Sequence, residues 1–299
     1  MTLKQNALRM WIALLVAGAA TAAVQDAPFT FIHRERSLQP GELVVFEIQS
    51  PNLLKRLTLK AFDREFPAFS DDAGRRWTGL VGIDLEIKPA SYPVQISGIG
   101  ADGNAVNMRD TLAVTDKKFP TRELTVDEKY VTPPPDVLDR IRKERERVNA
   151  VFAEISPEKF WSTPFIVPVP GTVISAFGKR SIFNGKPRSP HRGADFRGAA
   201  GTPIHAPNTG RVVLADDLYY SGNTVILDHG LGLYSYLCHL SSFSVGEGDL
   251  VHTGDLVGKV GSTGRVTGPH LHWTVRLAGS CIDPLSVVEI LGGSKKAKR

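Results

Sequence analysis

Short apolar runs, interrupted throughout much of the chain by 28 glycines and 20 prolines in 299 residues, leave little room for long helices and favour many short strands joined by turns. The length allows about two domains of roughly 100 to 200 residues each, enough for a sizeable buried core. Hydrophobic residues at 42% and charged residues at 22% exclude wholesale disorder and a polytopic membrane protein. The expected fold class is mostly β, with an N-terminal β-sandwich, a linker helix and a C-terminal all-β unit.

Within residues 29–114, alternating runs such as Leu43-Val44-Val45-Phe46-Glu47-Ile48 and Tyr92-Pro93-Val94-Gln95-Ile96 are separated by turn clusters, and Asp102-Gly103 marks a hairpin. This pattern predicts an immunoglobulin-like sandwich over 25–118. It holds no cluster of His, Cys and acids, so its expected role is to bind or position. Composition changes over 119–163: Thr132-Pro133-Pro134-Pro135 leads into a charge-rich stretch, 136–154. There Leu138, Ile141, Val148, Phe152 and Ile155 recur at helical spacing. We expect a linker helix capped by Asp136, with its Arg, Lys and Glu residues on a solvated face and Asp139 paired with Lys143. From 164 to 299, strands and glycines alternate again, and Gly-Asp-Leu-Val occurs at 248–251 and 254–257, read as tight hairpins.

The formal charge of +5 is concentrated at the ends: Lys295, Lys296, Lys298 and Arg299 close the chain, and Lys4 and Arg9 precede an apolar run at 10–24. The middle is close to neutral, which speaks against a nucleic-acid partner. A basic region, an apolar run and the small residues Ala20-Thr21-Ala22-Ala23 read as a secretory signal over 1–24. The mature chain is then exported to the periplasm or beyond, and it meets a membrane only if that signal stays uncleaved. Two cysteines, Cys238 and Cys281, either pair in such an oxidising space or serve as small buried hydrophobes.

Chemistry gathers in the last third. Pro269-His270-Leu271-His272-Trp273 puts two imidazoles on one strand face, His191-Arg192-Gly193-Ala194-Asp195 offers a His and a carboxylate four apart, and His239 lies in Tyr236-Leu237-Cys238-His239-Leu240. Three neutral imidazole or carboxylate ligands suit a zinc ion with one open position, and hence hydrolysis. Either pair alone is weak evidence; their conjunction is stronger.

From about 174 to 284 the chain resembles the lysostaphin-type (LytM-like) zinc metallopeptidases, peptidase family M23. The resemblance runs in order through Ser175-Ala176-Phe177-Gly178, His191 to Phe196, Gly201 to Pro207 and Asp228 to Gly232. It continues through His239-Leu240-Ser241, Gly261-Ser262-Thr263-Gly264, Thr267 to His272 and Asp283-Pro284. It implies that His191, Asp195 and His272 ligate Zn2+, that His239 and His270 are catalytic, and that the substrate is a peptide bond in peptidoglycan stems or cross-bridges. Leu237 and Thr274 depart from the family, standing where many relatives have tyrosine and glutamate. A complete ligand set favours the enzyme over a silent peptidoglycan-binding or amidase-activating factor. His229 is read as a packing or turn residue, and 183–186 as a turn from which Asn184 could alternatively cap the metal.

Overall fold

The computed structural model describes residues 29–125, 128, 132–162, 164–187 and 189–292; the expected signal at 1–24 and the basic tail at 295–299 lie outside them. The front of the chain forms β1 (Thr30–Arg34), β2 (Leu43–Gln49), β3 (Leu54–Ala61), β4 (Arg64–Phe69), β5 (Arg76–Gly82), β6 (Ala90–Gly100) and β7 (Ala105–Val114). They make a seven-stranded antiparallel sheet in the order β1-β2-β5-β4-β3-β6-β7. Strand β4 turns the corner, with Arg64 to Pro67 pairing with β3 and Ala68 and Phe69 with β5.

Folding the sheet at β4 lets its two wings face each other. Phe46 and Ile48 from one wing and Leu57, Leu59, Val94 and Ile96 from the other are all buried. At Gly79 the wings approach so closely that a Cβ would stand 2.2 Å from Leu59 Cδ1, so this strand position needs glycine for space. Phe62 and Asp63, both left-handed at φ 52° and 57°, close the β3–β4 hairpin with the twist a two-residue turn requires. The Asp102-Gly103 turn joins β6 to β7 as expected, with Gly103 at φ 87°.

Next come β8 (Thr121–Leu124) and α1 (Leu138–Ala153). The remainder forms β9 (Val173–Ser175), β10 (Arg180–Phe183), β11 (Lys186–Pro187), β12 (Ala194–Arg197), β13 (Pro203–His205), β14 (Gly210–Leu218) and β15 (Gly222–Gly230). It continues with β16 (Leu233–Phe243), β17 (Leu250–Val251), β18 (Leu256–Val260), β19 (His270–Leu277), β20 (Ser280–Ile282) and α2 (Pro284–Leu291). A ten-stranded sheet runs β17-β14-β15-β16-β19-β12-β9, with β13, β18 and β20 off that path. Strands β11, β10 and β8 form a separate three-stranded sheet in which β8 pairs parallel to β10. The fold is thus mostly β, as the punctuation predicted.

The helix differs from its expected form in two respects. A 3-10 turn over Pro135–Val137 precedes α1, and no side chain caps it, so Asp136 is not the cap. Its charged face is only partly solvated: Asp139 does meet Lys143 at 2.8 Å, but Arg140 bonds Asp217, Glu144 accepts from the Tyr219 amide, and Arg147 reaches Asp216 and Glu247. These partners on and beside β14 dock the helix, while Phe152 is buried against Tyr234 and Tyr236. Leu138 and Ile155, expected on the apolar stripe, are exposed.

The two Gly-Asp-Leu-Val segments also differ from expectation: β17 pairs with β14, and β18 with β13 and β16, so they do not form a hairpin together. What repeats is the turn before each strand. Asp249 Oδ2 accepts from the Gly246 amide and Asp255 Oδ2 from the His252 amide, with Gly248 and Gly254 left-handed at φ 95° and 88°.

The front sheet and the C-terminal strands share one hydrophobic core. Cys281 N donates to Asp84 Oδ2 at 2.8 Å, Leu43 N to Ser286 Oγ at 3.0 Å and Asp283 N to the Gly41 carbonyl at 2.7 Å. Arg36 bridges Glu42 and Asp283, each at 2.9 Å. Both cysteines are free and buried: Cys238 on β16, and Cys281 packed with Leu85 and Phe177. No helix among the described residues is long and apolar enough to cross a membrane.

Candidate metal centre and catalytic groove

Register brings the site together. On β12 and β19, Asp195 stands directly opposite His272, while Leu271 and Trp273 turn inward and are fully buried. The alternation that buries these two apolar residues sends His270 and His272 to the other face. His191 arrives from the loop before β12, fixed by two backbone bonds to the 178–179 turn. Gly193 lets that loop close, because a Cβ there would lie 2.4 Å from the Trp273 carbonyl and 2.8 Å from His272 Cε1.

Three ligand atoms converge as a result. His191 Nε2 lies 2.9 Å from Asp195 Oδ1 and 2.9 Å from His272 Nδ1, and His272 Nδ1 lies 2.8 Å from the same carboxylate oxygen. His191 Nδ1 faces the Ala176 carbonyl at 3.0 Å, which can only accept, so Nδ1 carries the hydrogen and Nε2 of the neutral ring presents its lone pair to the cluster. One proton on His272 Nδ1 can serve only one of the other two atoms. A cation among them serves all three, so this donor set fits a divalent metal. Burial would raise the Asp195 carboxyl, but its two imidazole neighbours, His191 and His272, outweigh it and hold the group far below the ordinary carboxylate range. Burial also lowers His272, which favours the neutral ring.

Thr274 occupies the departure noted two residues after His272. Its hydroxyl lies 2.9 Å from His272 Nε2, so it fixes the ring with Nδ1 turned to the cluster. Leu237 is fully buried, and the tyrosines that line the groove are Tyr220 and Tyr236, the latter with its hydroxyl hydrogen-bonded to Ser221.

His239 reaches the same face by breaking the strand. Between β15 and β16 the pairing jumps from Asn223 opposite Leu240 to Val225 opposite Leu237, which leaves an extra residue on β16, and His239 adopts φ 66°. A left-handed histidine inside a strand is costly and marks a bulge that re-aims a side chain. Its amide bonds the Ser221 carbonyl, and its Nδ1 donates to the Thr263 carbonyl at 2.9 Å. His270 Nδ1 likewise donates to the Gly268 carbonyl at 2.8 Å. Both rings therefore offer Nε2 as a proton acceptor, 5.0 Å apart between centroids. Burial, followed by the nearby His272 and His270, takes His239 down to about 3, so its ring is neutral at physiological pH.

A groove of about 620 Å³ contains all five residues. Its lining comes from the ten-stranded sheet and the 263–268 loop, from Ser181 and Phe183 of β10, from Arg122 of β8, and from Val148 and Phe152 of α1. That β8 and α1 reach the groove was not foreseen from the sequence, and neither were the carbonyls of Ala176, Thr263 and Gly268. Asn184 sits in the β10–β11 turn at φ 49° with its amide on Glu128, so its side chain is engaged there. His229 is fully buried between the Thr209 carbonyl and Ser235 Oγ, and burial lowers it to about 4, as suits a packing residue.

Residues 189–284 match peptidase family M23. Over 97 residues, 32% of this chain, the sequence is 41% identical to the DD-carboxypeptidase/endopeptidase Mpg of Neisseria meningitidis and 38% identical to the peptidoglycan DD-endopeptidase ShyA of Vibrio cholerae. The matched stretch spans 22% and 23% of those relatives, about a fifth to a quarter of their length. A crystal structure described as that of a candidate M23 peptidase from Pseudomonas aeruginosa is 32% identical and aligns over 84% of this chain and 95% of its own, with a TM-score of 0.66.

Proposed function

This chain belongs to peptidase family M23, and on that premise we propose that it is an exported, zinc-dependent endopeptidase that hydrolyses peptide bonds in peptidoglycan cross-links. The observation that carries the reading is the convergence of His191, Asp195 and His272, whose ligand atoms all lie within 4.8 Å, in one groove with two further histidines. His191 Nε2, Asp195 Oδ1 and His272 Nδ1 would hold the zinc. Zinc, when bound, supplies Lewis acidity that polarises the scissile carbonyl and makes water a competent nucleophile near neutral pH.

The chain's own residues supply the rest. The Ala176 carbonyl and the Thr274 hydroxyl orient the two imidazole ligands. His239 and His270, each anchored through Nδ1, would divide the remaining work: the Nε2 lone pair of one takes the proton from the attacking water, and the other, when it carries a proton on Nε2 as well, donates a hydrogen bond to the charge developing on the carbonyl oxygen. Residues 164–299 would form the catalytic unit and 25–118 a positioning unit. Residues 119–163 would connect them and contribute Arg122, Val148 and Phe152 to the groove. Cleavage of a peptidoglycan wall requires passage out of the cytoplasm, which is the role proposed for residues 1–24.

The test is to incubate the metal-loaded mature chain with intact peptidoglycan and identify the released fragments by mass. Newly exposed peptide termini that disappear on chelation and return with zinc are expected. Absence of cleavage on every peptidoglycan tried would overturn the reading.

A further inference from the structure

The groove carries an excess of positive charge that the metal centre does not use. Among the described residues lining it, Asp195 is the only acid, and it is committed to His191 and His272. Four arginines line the same space: Arg122, Arg192, Arg265 and Arg276. Arg192 is held by Glu86, Arg276 donates to the Gly279 carbonyl and lies over the Phe152 ring, and Arg265 stacks over Tyr220 and Phe183.

Arg122 differs from these three. Its Nε is buried and donates to nothing, and no ion pair of its guanidinium occurs among the described residues. A buried guanidinium N–H without an acceptor is costly, and native proteins rarely leave one unless something else completes it. Its placement is also built. Strand β8 puts Arg122 beside Ser181 of β10, and Ser181 and Phe183, two residues apart and hence on one face, both line the groove. Arg122 thus lines the groove together with β10, and Arg265 of the 263–268 loop lies 5.3 Å from the Phe183 ring centre.

We propose that Arg122 is a specificity-determining residue that receives a free carboxylate of the substrate peptide, so that the enzyme prefers peptides bearing that carboxylate to their amidated counterparts. This rests on the reading of the groove as a peptidase site. The guanidinium fork matches a carboxylate in two parallel hydrogen bonds, and in a peptide substrate the available anions are carboxylates. A segment outside the catalytic strands therefore helps to choose the substrate, through the part of the Arg122 guanidinium that lines the groove.

The experiment uses the full mature chain, metal-loaded, with two probes: a cross-linked muropeptide dimer with free carboxylates and the same dimer with its carboxylates amidated. Wild type should cleave the free acid with a KM about ten- to a hundredfold lower, the range for a charge-assisted hydrogen bond. In Arg122→Gln that ratio should collapse toward one, and Arg122→Lys should restore part of it. Because the ratio is internal to each protein, a general folding defect lowers both rates without moving it. Equal KM values for the two dimers with wild type, or a ratio that survives Arg122→Gln, overturns the proposal. Cleavage of neither dimer by wild type instead overturns the peptidase reading on which it stands.

Discussion

The two large sheets of this protein are both antiparallel and mostly apolar inside, yet they treat strand register differently. In the seven-stranded front sheet the pairing shifts once, between Leu54 and Arg56. In the ten-stranded sheet it shifts repeatedly, including at Asp195 on β12 and around His239 on β16. Regular pairing fills a core, as Phe46, Leu59 and Ile96 do. Broken pairing lets neighbouring positions such as Cys238 and His239 reach one face, as a reactive cluster requires. The front sheet gathers no comparable cluster, in keeping with the positioning role proposed for it.

The sharpest way to break this contrast is to remove one of the three proposed metal ligands. Asp195→Ala or His272→Ala should abolish bound metal and cut cleavage to background, while circular dichroism keeps its β signature, because strands β12 and β19 are held by backbone pairing on both sides. Metal content by elemental analysis decides it: a variant that keeps its metal removes that residue from the ligand set.

Second in size are the two histidines that are not assigned as ligands. His239→Ala and His270→Ala should retain metal and lose about a hundred- to ten-thousandfold in kcat, the usual contribution of a positioned proton-transfer group. Since His270 and His272 are two residues apart on one strand, the pair His270→Ala and His272→Ala separates chemistry from metal binding with the backbone held nearly constant. Equal metal loss in both would erase the division of roles.

How far these residues could be read from the sequence follows from what carries the signal. His191, Asp195, His270 and His272 stand in short local patterns, and strand alternation alone puts the last two on one face. The left-handed turn at His239 has no such signature, since neither Cys238 nor Leu240 announces a bulge. The orienting groups are harder still: the carbonyls of Ala176, Thr263 and Gly268 belong to the backbone, and any residue would present them. Likewise β8 reads as linker because it is four residues long, and only its pairing with β10 makes Arg122 part of the groove. The charges of α1 looked solvated for a related reason, since Asp216, Asp217 and Glu247 are distant in sequence.

A smaller effect tests the orienting shell. Thr274→Ala removes the hydroxyl at His272 Nε2 and should weaken metal affinity about ten- to a hundredfold, the usual cost of losing a partner behind a ligand. Cleavage at saturating metal should recover most of its rate. Competition with a chelator of known affinity measures the change. An unaltered affinity would mean that strand geometry alone aims His272.

The smallest expected change in cleavage comes from the seam between the front sheet and the start of α2, where Glu42 tests whether the front sheet contributes stability rather than chemistry. Its carboxylate is buried and takes hydrogen bonds from Arg36 and Lys117, with Arg36 reaching on to Asp283 at the start of α2. Burial alone would raise Glu42, but these two cations outweigh it and lower the group below its ordinary value. A carboxyl depressed in the folded state stabilises the fold above its unfolded value near about 4.3 and loses that contribution as pH falls through the folded one. Glu42→Gln should therefore lower the melting temperature at pH 7, by an amount corresponding to about 3 kcal/mol if the broken buried pair behaves as such pairs do. It should also flatten the acid limb of the stability curve below about pH 4.5 and leave metal content and kcat at pH 7 near wild type. Thermal melts from pH 3 to 8 read the first two effects. An acid limb as steep in Glu42→Gln as in wild type would place the titrating group elsewhere, and a large fall in kcat with metal retained would mean that the front sheet helps to shape the groove after all.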